Sequence, residues 1–508
     1  MSAAVSSWVL HSAKRKARHL FSPRCQHRLL PTCCWRVPLW PKRAWLSGTS
    51  ACLQDSYRGG GVTPQGRRAT SAGDDPDFQL TDAQVTAILR ANEQAVRFSE
   101  GPALGFESNQ LAANAPMEDR RSAVTCLRTR GAMFGVFDGH CGHACAQTVA
   151  ERLLYYAAVA LMPRPGLVEL EAAMSDLRPL SPVLQWHKHH NDYNYRQSTS
   201  LYLRHLRAFW REILAGEGAA GGEGMSPRDA LDRAFRRLDS DISLEAQVPL
   251  QSDPLRSLAL EVAFSGSTAC VAHVGADGVH LANAGDCRAV VGAQEGHGGW
   301  SALPLSRDHN ALNAAELERL WAQHPEVEQG TVVEDGRLLG TLMPLRAFGD
   351  VRFKWSLELQ RKVLENSRDL DSLDIYEYTP PNYLTPPYLE ATPELTYHRL
   401  RPEDRFLILG SDGLWDMLDD EGAVRLVAEH LTAMYHQGGR RRPPWTQTPP
   451  RTSSDTPLGP TITARSTPSA WLLCCRCRRR WPGCTAMTSP SLSSTSTRSN
   501  SRTSSPNR

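Results

Sequence analysis

Val136-Phe137-Asp138-Gly139-His140 ends an apolar run with an acidic residue, a glycine and a histidine. The segment Ala132–Phe137 is short and apolar, which predicts a buried β-strand. Residues 142–162 then carry apolar side chains at helical spacing, which predicts a helix soon after this strand. Asp138 and His140 are therefore expected at the edge of a rigid sheet, where polar side chains can project into a cleft.

Similar patterns elsewhere in the chain indicate the fold class. Strands are predicted at residues 123–127, 267–274, 278–284, 287–292 and 406–409, and helices at residues 201–214, 227–246, 311–324 and 420–431. Gly285-Asp286 is expected to form the turn of a hairpin between two of these strands. The folded part is expected to begin near residue 80, with Thr81 or Asp82 as a helix cap. Grouped strands with helices before and after them predict antiparallel sheets flanked by helices.

Composition and charge exclude several classes of protein. The chain has 508 residues and a formal net charge of +3, with basic ends and most of its acidic residues in the middle. Such a distribution does not indicate nucleic-acid binding. The 13 cysteines are scattered, which is typical of a reducing compartment rather than a disulfide framework. No apolar run is long enough to cross a bilayer, so no membrane span is predicted.

The first part of the chain has the composition of a targeting segment. Residues 1–54 contain no Asp or Glu and carry scattered Lys and Arg. This pattern predicts a mitochondrial transit peptide, and the alternative is a disordered basic arm that stays attached. Residues 55–79 are expected to form a linker before a domain at residues 80–437.

Carboxylates follow apolar runs or sit in sharp turns at several places, including Glu118-Asp119, Asp138 and Asp412. Oxygen ligands of this kind suit hard divalent ions such as Mg²⁺ and Mn²⁺. Two such ions can generate a hydroxide and stabilise charge on a phosphoryl oxygen. Gly139 lets the backbone approach closely and offer its carbonyl, and His140 would be placed to protonate a leaving oxygen. Any one of these motifs alone is more often a turn than a metal site.

Taken together, the motifs resemble the metal-dependent, type 2C family of protein serine/threonine phosphatases. The matching motifs occur in the family's order over residues 109–430, and they are Met117-Glu118-Asp119, Phe137-Asp138-Gly139-His140, Ser265-Gly266-Ser267-Thr268-Ala269, Ala284-Gly285-Asp286-Cys287-Arg288, Arg346-Ala347-Phe348-Gly349-Asp350 and Ser411-Asp412-Gly413-Leu414-Trp415-Asp416. The resemblance implies an α+β fold with a central antiparallel β-sandwich flanked by helices on both faces. It also implies two Mg²⁺ or Mn²⁺ ions as cofactors.

The resemblance assigns roles to individual residues. It implies that Asp138 bridges the two metals, Gly139 lends its carbonyl, Asp412 is a further ligand and His140 is the general acid. Asp119 and Asp286 are expected as water-mediated or third-metal partners. The remaining family carboxylates, Asp350 and Asp416, fit a structural turn or cap as well as a functional role.

Further segments resemble the mitochondrial pyruvate dehydrogenase phosphatases, namely residues 108–116, 187–196, 307–310 and 380–383. Overall similarity favours isoform one of this group. The resemblance implies that the substrate is phosphoserine on the pyruvate dehydrogenase α subunit, in the mitochondrial matrix. It implies docking on the lipoyl domain of the acetyltransferase core, and a regulatory subunit. Many type 2C enzymes carry an Arg that binds the substrate phosphate where this chain has Asn114, a change that the group shares.

The end of the chain departs from the family pattern. The family requires a final metal-binding Asp in an Asp-Asp-Ile-Thr turn, and residues 438–508 contain only one acidic residue, Asp455. This tail is rich in Arg, Pro, Ser and Thr and is expected to be disordered. Read one base earlier, residues 483–497 permit Met-Tyr-Arg-Asp-Asp followed by Ile-Thr-Val-Thr-Val-Val-Tyr-Phe-Asn. The tail is therefore interpreted as an out-of-frame translation, the alternative being a basic arm that binds RNA or acidic lipid.

Two hypotheses for the function follow from these observations. The first is an active, metal-dependent protein phosphatase. The second is a catalytically impaired homologue, short of one metal-binding carboxylate, that acts as a binding module on the pyruvate dehydrogenase complex. Losing one carboxylate from a site with two metals is expected to weaken at least one metal and slow the reaction by orders of magnitude.

Overall fold

The computed structural model describes residues 81–112, 116–192, 199–216, 224–248, 253–296, 298–365, 380, 382–437 and 470–477. The predicted transit peptide and linker lie outside the described residues, as do Asn114 and most of the tail. These expectations therefore stay predictions.

Seventeen strands are described. In chain order they are β1 (Gln94–Arg97), β2 (Ala103–Leu111), β3 (Arg120–Cys126), β4 (Ala132–Phe137), β5 (Gly139–His140), β6 (Leu184–Trp186), β7 (Gly266–Ser267), β8 (Ala269–Val274), β9 (Gly278–Ala284), β10 (Arg288–Gln294), β11 (Trp300–Pro304), β12 (Val333–Glu334), β13 (Arg337–Leu338), β14 (Phe348–Gly349), β15 (Glu394–Arg399), β16 (Asp404–Gly410) and β17 (Ala470–Cys477).

The described helices lie mainly between these groups of strands. They are α1 (Asp82–Arg90), α2 (Ala144–Leu161), α3 (Arg164–Ser175), α4 (Thr199–Ala215), α5 (Pro227–Gln247), α6 (Asp253–Phe264), α7 (Ala314–Gln323), α8 (Gln329–Val332), α9 (Leu357–Glu365), α10 (Asp412–Trp415) and α11 (Asp420–Gln437), with short 3₁₀ turns at Glu326–Glu328 and Val351–Phe353. None of the described helices is both long and apolar enough to span a bilayer.

Two six-stranded antiparallel sheets form the centre of the fold. The first sheet has the order β1-β2-β17-β16-β10-β11, and the second has the order β15-β9-β8-β4-β3-β6. A smaller sheet, β14-β7-β5, lies beside them and carries His140. The predicted strand at 132–137 and the predicted strand at 278–284 have the bounds that the structure gives β4 and β9.

Alternating side chains divide the interior into layers. Phe134 and Val136 of β4 pack with Leu407 and Leu409 of β16 between the two sheets. The side chains between them in each strand point to the other face of the sheet, because successive side chains of a strand alternate between the two faces. Met133 and Phe137 pack with helices α2 and α5, whereas Phe406 and Ile408 pack with helix α11, in two further core clusters. This order of layers confirms the predicted α+β sandwich with helices on both faces.

The start of the folded part agrees with its sequence signals. Thr81 caps α1, accepting a hydrogen bond from the backbone N–H of Gln84 at 3.3 Å. The Gln84 side chain accepts one from the backbone N–H of Thr81 at 2.8 Å, which completes a capping box. Thr81 is therefore the cap, and Asp82 is the first residue of the helix.

The hairpin predicted at Gly285-Asp286 was wrong. Strand β9 pairs with β8 and β15 in the second sheet, whereas β10 pairs with β11 and β16 in the first. The chain therefore crosses from one sheet to the other at residues 285–287. Gly285 has a φ of +118°, and a side chain there would overlap Thr268, so this crossing requires glycine.

The prediction of a wholly disordered tail was also wrong, at residues 470–477. This segment forms β17, which pairs antiparallel with both β2 and β16. Its sequence includes the apolar run Trp471-Leu472-Leu473-Cys474-Cys475. Within the described residues, β17 fills the place between β2 and β16 in the first sheet. The compositional argument failed because it averaged this short apolar run with the polar residues around it.

We predict that β17 contributes to the stability of the domain. A chain that ends at Gln437 leaves facing edges of β2 and β16 without their ladder hydrogen bonds. The free energy of unfolding is expected to fall by about 3 kcal/mol or more, because each hydrogen bond contributes roughly 1 kcal/mol. Denaturant unfolding followed by circular dichroism measures this change.

The matched control is a chain that ends at Cys477, which keeps β17 and removes the residues after it. It is expected to unfold at the same denaturant concentration as the full chain. Equal midpoints for the chains ending at Gln437 and at Cys477 would contradict the assignment of β17.

Candidate active site

The predicted carboxylates gather at one edge of the sandwich. Asp119 lies directly before β3, and Asp138 lies between β4 and β5. Asp286 lies at the crossing between the sheets, and Asp412 opens α10 directly after β16. Both sheets therefore contribute to one group of acidic side chains.

Electrostatic interactions link the members of this group. Burial raises the pKa of Asp138 well above its ordinary range, and the charges of Asp412, Asp119 and Asp286 raise it further. Burial and the charge of Asp412 raise the pKa of Asp286 to about 8. Asp119 is buried, and its carboxylate accepts a hydrogen bond from the Ser411 hydroxyl at 3.0 Å. Ordinary carboxyl groups carry charge at neutral pH, so these close contacts between like charges require a proton or a cation.

The donor chemistry of this group fits divalent cations. All four side chains offer carboxylate oxygens, the ligands that Mg²⁺ and Mn²⁺ prefer. In the described part of the chain, no three Asp, Glu, His or Cys side chains meet in a complete metal-binding arrangement. The acidic residues are instead paired with each other, with a hydrogen bond between Asp138 and Asp412. A cation bound by these carboxylates would remove the repulsion that raises the pKa of Asp138.

Gly139 is required for the close approach of two backbone segments. A Cβ at this position would lie 2.5 Å from the backbone oxygen of Glu118 and 2.9 Å from the Cβ of Ala146. Glu118 also contacts the turn after His140, because its carboxylate accepts a hydrogen bond from the backbone N–H of Gly142 at 2.7 Å. The two predicted motifs at residues 118–119 and 138–140 therefore lie against each other.

His140 has a partner that the sequence did not single out. Its Nε2 atom lies 2.5 Å from Oδ2 of Asp350, and both residues are buried. Burial by itself lowers the pKa of His140, but the charge of Asp350 and the hydrogen bond to it raise this pKa to about 9. The ring therefore keeps its second proton at neutral pH, as a proton donor must.

Gly266 allows this pair to form. Strand β7 lies between β5 and β14, with Gly266 opposite both His140 and Gly349 in the strand registers. A Cβ at Gly266 would overlap His140 Nε2 and Asp350 Oδ2. Asp350 itself has a left-handed backbone, with a φ of +49°, and its backbone N–H donates to the Ser265 oxygen at 2.9 Å. This contact with His140 favours a functional role for Asp350, and that role stays a prediction.

Two further candidates are Asp416 and Asn114. Asp416 is exposed and ends α10, where its backbone N–H donates to the Asp412 oxygen at 2.8 Å. Burial and the nearby charge of Asp412 raise its pKa. Asn114 lies outside the described residues, so its role stays a prediction.

Comparison with known proteins decides the family. The protein phosphatase 2C family model matches residues 210–442. The chain is 50% identical over 445 residues to human "[Pyruvate dehydrogenase [acetyl-transferring]]-phosphatase 2, mitochondrial", covering 85% of this chain and 82% of that protein. This chain belongs to the protein phosphatase 2C family. Members of this family are metal-dependent protein phosphatases.

A second human relative allows the predicted isoform to be compared with the other one. Human "[Pyruvate dehydrogenase [acetyl-transferring]]-phosphatase 1, mitochondrial" is 53% identical over 383 residues, covering 73% of this chain and 70% of that protein. The two human phosphatases are similarly close in identity, so isoform one stays a prediction. Both relatives are named as mitochondrial, in agreement with the mitochondrial location predicted from the sequence.

We predict that Asp350 is required for full phosphatase activity. Asp350→Asn keeps the shape of the side chain but removes the charge that holds His140 in its protonated form. The kcat for a phosphoserine substrate is expected to fall about 100-fold, which is typical for impaired acid catalysis. Steady-state kinetics with saturating Mn²⁺ measures this loss.

Two further variants test the explanation. Gly266→Ala separates His140 from Asp350 without removing either, and it is expected to lower kcat to a similar extent. Asp277→Asn, in the exposed turn between β8 and β9, is the matched control and is expected to keep full activity. Unchanged kcat in Asp350→Asn would show that the pair has only a structural role.

Proposed function

We propose that this chain removes phosphate from phosphoserines on the α subunit of pyruvate dehydrogenase. The observation that carries the proposal is the group of mutually repelling carboxylates beside the His140–Asp350 pair. Support for this substrate comes from about 50% identity to proteins whose names state that they act on pyruvate dehydrogenase. The protein is expected to act in the mitochondrial matrix.

Asp138, Gly139 and Asp412 would hold two Mg²⁺ or Mn²⁺ ions through their oxygen atoms. Asp119 and Asp286 would bind through water or take part in a third metal site. When bound, the ions would supply a hydroxide nucleophile and neutralise charge on the phosphoryl oxygens. The raised pKa of Asp138 supports this assignment, because the charges of Asp412, Asp119 and Asp286 lie near this buried carboxyl group.

His140 is proposed to donate its proton to the seryl oxygen as the bond to phosphorus breaks. The proton leaves Nδ1 of the ring, because Nε2 is engaged with Asp350. The neutral imidazole that remains can accept a proton from water for the next cycle. Asp350 orients the ring and stabilises its charged form through the 2.5 Å contact. Asn114 would bind the substrate phosphate by hydrogen bonding, a weaker interaction than the bidentate contact of an Arg.

The proposed partners are those that the family resemblance implies. We expect docking on the lipoyl domain of the acetyltransferase core, and association with a regulatory subunit. No nucleic-acid partner and no membrane span are expected.

An impaired homologue that acts as a binding module remains the second candidate. The observation that favours it is the sequence of the tail, which lacks the final metal-binding Asp of the family. Such a protein would keep the sandwich and its docking surfaces but bind metal weakly.

We predict that Asp138→Asn abolishes turnover. The substitution removes one negative charge from the position proposed to bridge the two metals, so both ions lose a ligand. Phosphate release from a phosphoserine substrate with excess Mn²⁺ measures the effect. Asp335→Asn, in the exposed turn between β12 and β13, is the matched control and is expected to stay active. Activity retained in Asp138→Asn would contradict the metal assignment.

Restoring the neighbouring reading frame in the tail is predicted to raise activity. It supplies Asp-Asp-Ile-Thr and the strand after it, and thus a further carboxylate ligand. The Mn²⁺ affinity and kcat are expected to rise by at least about tenfold, because losses of this size follow when metal-site ligation is disturbed. Calorimetry measures Mn²⁺ binding independently of turnover.

The control carries the restored tail with Asn in place of its final aspartate. Its Mn²⁺ affinity and kcat are expected to equal those of the chain with its present tail. Equal affinity and kcat in all three chains would show that the final aspartate is dispensable. If the chain with its present tail is inactive and the chain with the restored tail is active, the binding-module hypothesis is favoured for the chain with its present tail.

A further inference from the structure

A cavity of about 490 Å³ lies beside the active site. It is enclosed by β2, β3, α2 and the segment that follows β6. Its volume falls in the range of sites that take up a small molecule or a large side chain. The catalytic steps proposed above make no use of it.

Some residues that line the cavity are neighbours, along the chain, of residues of the catalytic edge. Met117 and Arg120 line it, and they stand on either side of Glu118-Asp119 in the chain. His143 also lines it, directly after Gly142, whose backbone N–H donates to the Glu118 carboxylate at 2.7 Å. A group in the cavity would therefore be close enough to belong to the same substrate molecule as a phosphate at the carboxylates.

The cavity's arginines are already engaged with the protein. Arg120 donates to the Gln147 side chain at 2.5 Å and to the Met117 oxygen at 2.7 Å. Arg121 is buried and donates to the Ser108 hydroxyl at 2.9 Å and the Asn92 oxygen at 3.1 Å. These contacts hold Arg120 and Arg121 in place and fix the walls of the cavity.

Aromatic side chains form the apolar part of the wall. Phe106 is buried, and Trp186 lies half-buried at the end of β6. The Trp186 indole donates to the Tyr155 hydroxyl at 2.9 Å, which fixes the orientation of the ring. Lys188 places its ammonium 5.0 Å from the centroid of the same ring. Rigid aromatic walls of this kind favour an apolar side chain.

We propose that this cavity receives an apolar side chain that flanks the phosphoserine of the protein substrate, with Trp186 as its specificity-determining wall. The inference rests on the proposed phosphatase function, because it places both groups on one substrate. It assigns the choice of substrate sequence to β6 and the segment after it, separately from the carboxylates that carry out the reaction.

The test compares a large and a small substrate. A phosphoserine peptide with leucines flanking the phosphoserine reaches the cavity, whereas p-nitrophenyl phosphate occupies only the catalytic edge. Trp186→Ala is expected to lower kcat/KM for the leucine peptide about tenfold, mainly through KM, because an apolar pocket contact contributes roughly this discrimination. Activity on p-nitrophenyl phosphate is expected to stay unchanged.

Trp186→Phe separates a binding role from a structural one. It keeps an aromatic wall and loses the hydrogen bond to Tyr155, so it is expected to retain most of the activity on the leucine peptide. Lys362→Ala, an exposed position on α9 that does not line the cavity, is the matched control. Equal losses on both substrates in Trp186→Ala and Trp186→Phe would show that Trp186 only supports the fold.

A second measurement uses the unchanged chain, so it does not depend on the folding of a variant. The leucine peptide is expected to have about tenfold higher kcat/KM than its counterpart with serines at those positions. Equal values would overturn the proposal, and so would a preference for the leucine peptide that survives in a folded Trp186→Ala chain. Failure to hydrolyse even p-nitrophenyl phosphate would instead overturn the proposed function.

Discussion

Repulsion among buried carboxylates is the constraint on which the active edge depends. Asp119 and Asp138 belong to the second sheet, Asp412 follows a strand of the first, and Asp286 lies where the chain crosses between them. Burial raises the pKa of each of these groups, and the charge of Asp412 further raises the pKa of the other three. Cations bound here would contact both sheets at once. Metal binding is therefore expected to stabilise the association of the sheets as well as to support the reaction.

The small sheet gives His140 a separate support. Strand β7 holds β5 on one side and β14 on the other, and Gly266 leaves the space in which His140 meets Asp350. The partner of His140, the proposed proton donor, thus comes from a different element than the proposed metal ligands. Changes at Asp350 or Gly266 can alter proton transfer while the carboxylate group stays intact, which makes the two parts of the mechanism separable.

The sequence predicted local elements well and long-range pairing less well. Ala132–Phe137 and Gly278–Ala284 have unambiguous strand patterns, and their bounds agree with the structure. The Gly285-Asp286 turn signal was correct about a change of direction but could not show that the two strands join different sheets. The contact between His140 and Asp350 spans 210 positions, so only the folded arrangement of β5, β7 and β14 brings it about.

The fold and the proposed metal site require different things of the tail: the fold requires a pairing strand, and the site requires one particular side chain. The space between β2 and β16 requires a strand whose backbone pairs on both sides, and residues 470–477 meet this requirement. Pairing in a sheet uses backbone N–H and C=O groups, which every non-proline residue carries, so a short apolar run can supply a strand whichever reading frame encodes it. A metal ligand must be one particular side chain at one particular position. The tail can therefore complete the first sheet although it does not supply the final carboxylate of the proposed metal site.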